Sequence, residues 1–393
     1  MIENLDKLVS IEPCQRYDPD DIERALEKCL APSGGIEKYV KQGQRVALKI
    51  NLLMSARPET ATCTHPAFTY AVARMVKKAG GEPFIIDSPG ASIPNSHLYL
   101  KKVYKKAGYE LQGNIPLNED LESVYLSIPE GRLIKRMECL KALREADVII
   151  NLPKIKTHCF MILTCAVKNM FGAIPGLKKV GYHSKLKKPQ KFGAMLLDVY
   201  ETVKPDLNII DGITGMEGSG PSGGEPKNLG VVLASSCAVS ADLAVCRLIG
   251  FNPKDIPYLS IALEEGIPSD KNEGDFQIVS SVNIDDLRQE FKAPETLIRG
   301  SGFFSRGLQK YLNPLMNHVF TMRPEINRGK CVGCKACIRS CPEEVIELVD
   351  YGQKKVAKIK NSGCIRCYCC HEMCPHQAVD LKRSLLFRLV NRE

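Results

Sequence analysis

Short β-branched apolar runs alternate with longer stretches of helical apolar periodicity through the first 300 residues, and this alternation predicts an α/β domain built mainly on a parallel sheet flanked by helices. Arg45-Val-Ala-Leu-Lys-Ile50 reads as a buried strand, Pro66 to Ala79 as a helix stopped by Gly80-Gly81, and Pro83-Phe-Ile-Ile-Asp87 as the next strand, together a βαβ unit. Further strands are predicted at 147–151, 207–211 and 229–234, and helices at 20–30, 192–203 and 240–249. Residues 252–300 are mixed. The pattern divides the chain into an α/β domain over 1–299, a connector over 300–323, a cysteine-rich α+β module over 324–380 and a tail over 381–393 with an amphipathic helix.

Apolar residues make up 44% of the chain and charged residues 25%, near the averages for globular proteins, so wholesale disorder is excluded. No run reaches the roughly 18 apolar residues of a membrane span, and the opening MIENLDKLVS lacks the plan of a signal peptide, which predicts a cytoplasmic protein. The formal charge of +9 points to an anionic partner. Its densest patch, Lys178, Lys179, Lys185, Lys187, Lys188 and Lys191, reads first as a solvated loop, and next as a site for an anionic ligand or an acidic protein. Nucleic acid comes last, because no aromatics are interleaved.

Nine of the 17 cysteines fall between 331 and 374. Cys331, Cys334, Cys337 and Cys341, followed by Pro342, give C-x2-C-x2-C-x3-C-P, and Cys364, Cys367, Cys370 and Cys374, followed by Pro375, repeat it 33 residues later. Three thiolates in steps of three wrap one corner of an iron–sulfur cube, and in this arrangement the fourth ligates the other cube. The spacing therefore assigns Cys331, Cys334, Cys337 and Cys374 to one [4Fe–4S] cluster, and Cys364, Cys367, Cys370 and Cys341 to a second. Zinc also takes four thiolates but favours two separated CxxC knuckles. Cys369 stands where the first repeat has Ala336 and is expected to be a small packed residue, while Gly333 and Gly363 relax the backbone around the sulfurs.

In open α/β sheets, ligands sit beyond the carboxyl ends of the strands, and those positions are polar here. Lys49, Asn51, Asp87, Lys168, Asn169, Asp211, Gly218 and Gly220 are candidate cofactor-binding residues. Lys154, Lys156 and His158, placed in a loop after a strand, are candidates for charge stabilisation and proton delivery. Gly218-Ser-Gly220-Pro-Ser-Gly223 spells GxGxxG but runs on into a strand instead of a helix, so it reads as a plain turn or a loop offering amides to an anion. His65 fits a helix cap, and Asp87 and Asp211 fit the positioning of lysines or a metal. A nickel or zinc site using His65 and His158 has no support from spacing.

Lys49-Ile-Asn51, Thr64-His65-Pro66, Asp87-Ser-Pro-Gly90, Pro153-Lys-Ile-Lys-Thr-His158, Lys168-Asn169 and Asp211-Gly-Ile-Thr-Gly-Met-Glu-Gly-Ser-Gly-Pro221 resemble the domain-of-unknown-function 362 family in its ferredoxin-fused form. The resemblance implies an iron–sulfur protein and hands over no substrate. The expected function is electron transfer, as a ferredoxin-linked oxidoreductase whose α/β domain binds an anionic substrate or a flavin-like cofactor and whose partner is a ferredoxin or an oxidoreductase subunit. The alternatives are a non-catalytic carrier or adaptor in a larger redox complex, and metal or cluster trafficking.

Overall fold

The computed structural model describes residues 8–90, 96–109, 115–176, 178–268, 276–297 and 322–383. Most of the predicted connector and the amphipathic tail helix lie outside these residues. The main sheet contains β1 (Leu8–Pro13), β2 (Arg45–Ile50), β3 (Glu82–Ile86), β6 (Val148–Leu152), β7 (Lys154–His158), β8 (Ile162–Thr164), β9 (Leu207–Glu217), β10 (Glu225–Ser235) and β11 (Gln277–Val279). A separate hairpin joins β4 (Ser123–Ser127) to β5 (Arg136–Leu140). The sheet order is β11-β1-β10-β9-β6-β2-β3, with β7 paired to β9 and β8 to β7. The β2–β3, β2–β6, β6–β9, β7–β9 and β1–β11 pairs are parallel, so the sheet is mainly parallel as predicted.

Strand periodicity sorts the core into two layers. Val46, Leu48 and Ile50 of β2 pack toward helices α1 (Pro19–Leu30) and α2 (Pro66–Lys78), whereas Ala47 joins the opposite core with α3 (Pro189–Val203) and α4 (Ala238–Ile249). Burial on both faces explains why β2 is a nearly continuous apolar run. The Asp18 carboxylate accepts from Asp20 and Asp21 N–H to start α1, His65 Nδ1 accepts from Ala67 N–H to start α2, and Gly250 ends α4 in the left-handed region at φ 75°.

Two features differ from the sequence expectation. Lys154, Lys156 and His158 lie on β7, which follows β6 after Pro153 alone, and not in a loop. The strands predicted at 207–211 and 229–234 extend into a long antiparallel hairpin, with the glycine-rich segment as its turn. That turn leads from strand to strand, so no helix N-terminus is available for a dinucleotide phosphate.

The cysteine-rich module has its own small core. β12 (Arg323–Ile326) pairs antiparallel with β15 (Val379–Lys382), and β13 (Ile346–Tyr351) forms a hairpin with β14 (Lys354–Ile359). Its duplication extends to the backbone. Positive φ recurs 33 positions apart at Gly333 and Arg366, at Lys335 and Tyr368, and at Glu344 and Gln377. One-turn helices at Ala336–Arg339 and Cys369–Glu372 follow the same spacing. The second half docks on the α/β domain: His371 Nε2 faces the Ser219 carbonyl at 3.1 Å, the Ser222 hydroxyl donates to the Glu372 carbonyl, and Met373 enters the α1–α2 core.

Candidate functional site

The module surrounds two cavities. Cys331, Cys334, Cys337 and Cys374 line one, and Cys341, Cys364, Cys367 and Cys370 line the other, which are the crossed quartets expected from the spacing. The positive φ values at Gly333 and Lys335, and at Arg366 and Tyr368, wrap each run of three cysteines around its cavity. Backbone amides reach the sulfurs: Ala357 N–H donates to Cys331 Sγ at 3.4 Å and Ala378 N–H to Cys374 Sγ at 3.2 Å. Among the described residues, no three His, Cys, Asp or Glu side chains are placed to hold a single metal ion.

A second cleft, of about 80 Å³, lies where the module meets the α/β domain. Asn51, Asp87, Lys156, His158, Lys168 and Asn169 line it from the α/β side, and Cys369, Glu372 and Met373 from the module. Side chains separated by two positions share a strand face, which carries Lys156 and His158 of β7 to the same wall. Lys156 Nζ donates to Asn51 Oδ1 at 2.8 Å and to the Thr62 carbonyl at 2.6 Å. Asn51 in turn donates to Asn169 Oδ1 at 3.0 Å, and Asn169 donates to Asn151 Oδ1 at 2.7 Å. Beneath this chain, buried Lys49 pairs with buried Asp87 at 2.8 Å. Gly172 permits the pair, since a β-carbon there would collide with Asp87 Oδ1.

The cleft gathers polar atoms without partners. Five buried side-chain N or O atoms lack a hydrogen bond among the described residues, and four of them, His158 Nε2, Thr164 Oγ1, His183 Nδ1 and Glu372 Oε1, belong to residues lining this one space. Each such group costs about 1–3 kcal/mol when left unpaired, so their convergence is the signature of a place kept for a polar ligand. His158 Nδ1 accepts from Phe160 N–H at 3.0 Å and Met161 N–H at 3.3 Å, which leaves the proton of the neutral ring on Nε2. Nε2 lies 3.2 Å from Glu372 Oε1 without hydrogen-bond alignment. Burial, reinforced by Lys168, holds His158 well below the ordinary histidine range, so it enters the cleft as a neutral donor.

Burial also brings Lys156 down to about 7 and Lys179 down to about 7. Lys179 corrects the reading of its patch as a solvated loop: it is buried, lines the cleft and donates to the Ser88 and Pro89 carbonyls. Its neighbours face outward, Lys178 to Glu138 at 2.9 Å and Lys187 to Glu343 at 3.2 Å. Lys156, Lys168, Lys179 and His158 bring their donors to one cleft beside the carboxylates of Asp87 and Glu372, and converging donors are what an anion requires.

Other predicted residues fall elsewhere. A register shift between Lys154 and Lys156 diverts Lys154 to Asp211 at 2.8 Å and to the Tyr17 hydroxyl, away from the cleft. Asp211 also accepts from the Tyr17 hydroxyl and from His65 N–H, and the His65 ring stacks on Tyr17 at 3.7 Å. Asp87 and Asp211 thus position lysines, and His65 and His158 stand in different networks. Gly218 and Gly220 do not line the cleft; Pro221 does. Glu372, Met373 and His183 carry no sequence signal for a site. Lys179 stands in the basic patch whose second reading is an anionic-ligand site, and Cys369 marks the break in the repeat where Ala336 stands in the other half. A more open groove of about 590 Å³ lies on the module between β12, β14 and β15, with no orphaned buried atom.

A mainly parallel α/β body joined to a twofold-repeated cysteine module defines an iron–sulfur protein of two parts. The chain belongs to the family described as Domain of unknown function (DUF362), whose model matches residues 46–247, and a 4Fe–4S dicluster domain matches 330–378. It is 32% identical over 321 residues to the Thylakoid-associated protein sll1697 of Synechocystis sp., covering 80% of this chain and 95% of that one. Among solved structures it is similar to the lactate racemase apoprotein from Thermoanaerobacterium thermosaccharolyticum, with 16% identity and a TM-score of 0.40 over 61% of this chain and 56% of the other. A Thermotoga maritima protein matches with 14% identity and a TM-score of 0.28, over 52% of each chain. The chain thus spans little more than half the length of either solved structure. The dicluster domain supports an iron–sulfur electron-transfer role. No helix among the described residues is long and apolar enough to cross a membrane.

Proposed function

We propose that the protein is a ferredoxin-linked oxidoreductase acting on a small anion held between the α/β domain and the cysteine module. The observation that carries this is the cleft in which Lys156, His158 and Lys168 face Cys369 and Glu372, with four orphaned polar atoms around one space. Two [4Fe–4S] clusters, one per cysteine quartet, would supply one-electron chemistry when bound. Lys156, Lys168 and Lys179 hold the anion, and Asn51 and Asn169 orient it. His158 Nε2–H points its proton at the ligand from a ring whose other nitrogen is fixed by two backbone amides. A cavity of about 80 Å³ suits a carboxylate or oxyanion and is below the roughly 300 Å³ at which drug-sized ligand pockets begin, which argues against a flavin there. A reducing compartment such as the cytoplasm goes with this reading, because all eight cysteines outside the module are buried free thiols.

The test is an anaerobic preparation analysed for iron, sulfide, EPR signal and copurified small molecules, followed by calorimetry with acetate and inorganic phosphate. The reading expects eight irons per chain and anion binding that Lys156→Met and Lys168→Met abolish. Full clusters with no anion bound by the wild type, and the same redox activity in both variants, would sink it in favour of a carrier or adaptor role.

A further inference from the structure

The two cysteine quartets are not equivalent in their surroundings. Cys334 is exposed and Val332 beside it is 57% exposed, an uncommon position for a valine on a module this small. In the other quartet Cys367 and Cys370 are buried and Cys341 and Cys364 half-buried, and the helical turn that carries Cys370 also carries Cys369 and Glu372 of the cleft wall. One quartet therefore opens to solvent at Cys334, its other three cysteines being buried, and the other adjoins the candidate substrate through the turn of Cys370.

The solvent side is rimmed by cations. Lys330 and Lys335 adjoin Cys331 and Cys334 in the chain, Lys354 Nζ donates to the Cys331 carbonyl at 3.1 Å, and the Lys355 carbonyl packs on Gly333. Arg328 lies over the exposed Tyr351 ring at 5.2 Å. Among the described residues no carboxylate pairs with any of these five, although Asp350 stands across the hairpin from Lys355. Elsewhere on the module, Lys360 pairs with Glu347 at 2.7 Å and Lys382 with Glu325 at 3.0 Å. Unpaired cations around an apolar centre attract a partner with carboxylates on its surface, and such charge complementarity sets encounter rates more than affinity.

We infer that the Val332–Cys334 face docks an acidic one-electron carrier protein, and that electrons enter at the Cys331–Cys334–Cys337–Cys374 quartet and reach the cleft through the Cys341–Cys364–Cys367–Cys370 quartet. Each encounter oxidises the carrier by one electron and reduces the module by one; two encounters deliver the pair that a two-electron substrate consumes. This rests on the reading that both quartets hold clusters.

The experiment follows reduction of anaerobic holoprotein by a reduced flavodoxin, an acidic carrier, in stopped flow, with dithionite as a small-molecule control. The second-order rate constant with flavodoxin should fall about tenfold between low and moderate salt, and about tenfold again in Lys330→Glu/Lys335→Glu, with iron content and dithionite reduction unchanged. Lys360→Glu should keep the wild-type rate. Should the double variant lose iron, the salt dependence of the wild type and the single variant Lys355→Glu decide. A rate indifferent to salt, or to the charge reversals, in protein carrying both clusters overturns the docking face and leaves the oxidoreductase reading standing. Protein without clusters overturns both.

Discussion

Lys154 and Lys156 sit two positions apart on one strand, and their partners give them opposite roles. Lys154 is tied to Asp211 at 2.8 Å with both groups buried, whereas Lys156 is held by an amide and a carbonyl oxygen and has no carboxylate. Lys154→Met should strand a buried carboxylate and destabilise the fold by about 3–5 kcal/mol, read from urea unfolding, with partial recovery in Lys154→Met/Asp211→Asn. Lys156→Met strands no charge but leaves Asn51 Oδ1 and the Thr62 carbonyl without their donor, and should cost about 1–3 kcal/mol while removing anion binding. The pH dependence has a definite sign. Lys156 and Lys179 stand near 7 in the folded protein against an ordinary 10.5, so between about pH 7 and 10 the unfolded chain binds more protons and stability rises with pH. Anion affinity runs the other way, falling as these lysines lose protons above pH 7, and calorimetry across pH 6 to 9 should show it. The residue types were legible in the sequence, but the partition between them was not. It depends on a shift in the pairing of β7 with β9, where the step from Lys154 to Lys156 is matched by the longer step from Asp211 to Met216, which spacing along the chain cannot reveal.

At the scale of elements, strands with continuous apolar runs and helices with caps were readable, because local chemistry specifies both. Residues 154–158 were not, since Ile155 and Thr157 alone favour a strand among lysines and a histidine just after Pro153; β7 exists because β9 and β8 pair with its backbone. The glycine-rich turn of the β9–β10 hairpin was legible as a turn, but its use depends on a partner 150 residues away: Ser222 binds the Glu372 carbonyl and Ser219 receives His371. Gly220 lets the turn lie against β7, because a β-carbon there would run into the Thr157 carbonyl. Gly220→Ala should therefore cost about 1–3 kcal/mol and loosen the docking of the 369–372 helical turn, seen as faster amide exchange there.

For the whole molecule, the repeat made the dicluster module the most legible part of the chain, while the way its second half completes a cleft in the α/β domain was invisible. Glu372 and Met373 carry no motif, and contact between segments so far apart is a property of the assembled fold. That contact makes the turn Cys369–Glu372 a shared wall: Cys370 lines the inner quartet's cavity, and Cys369 and Glu372 line the cleft. An anion in the cleft and an electron at that quartet are then like charges on two sides of one helical turn, and each must disfavour the other by the same free energy. On the proposed function, reduction of that quartet would then help to expel a charged product. A tenfold loss of anion affinity on reduction corresponds to a midpoint potential about 59 mV lower with anion bound, for one electron. Spectroelectrochemical titration with and without saturating acetate measures that shift, and an unmoved potential in anion-loaded protein would show that the wall insulates one side from the other.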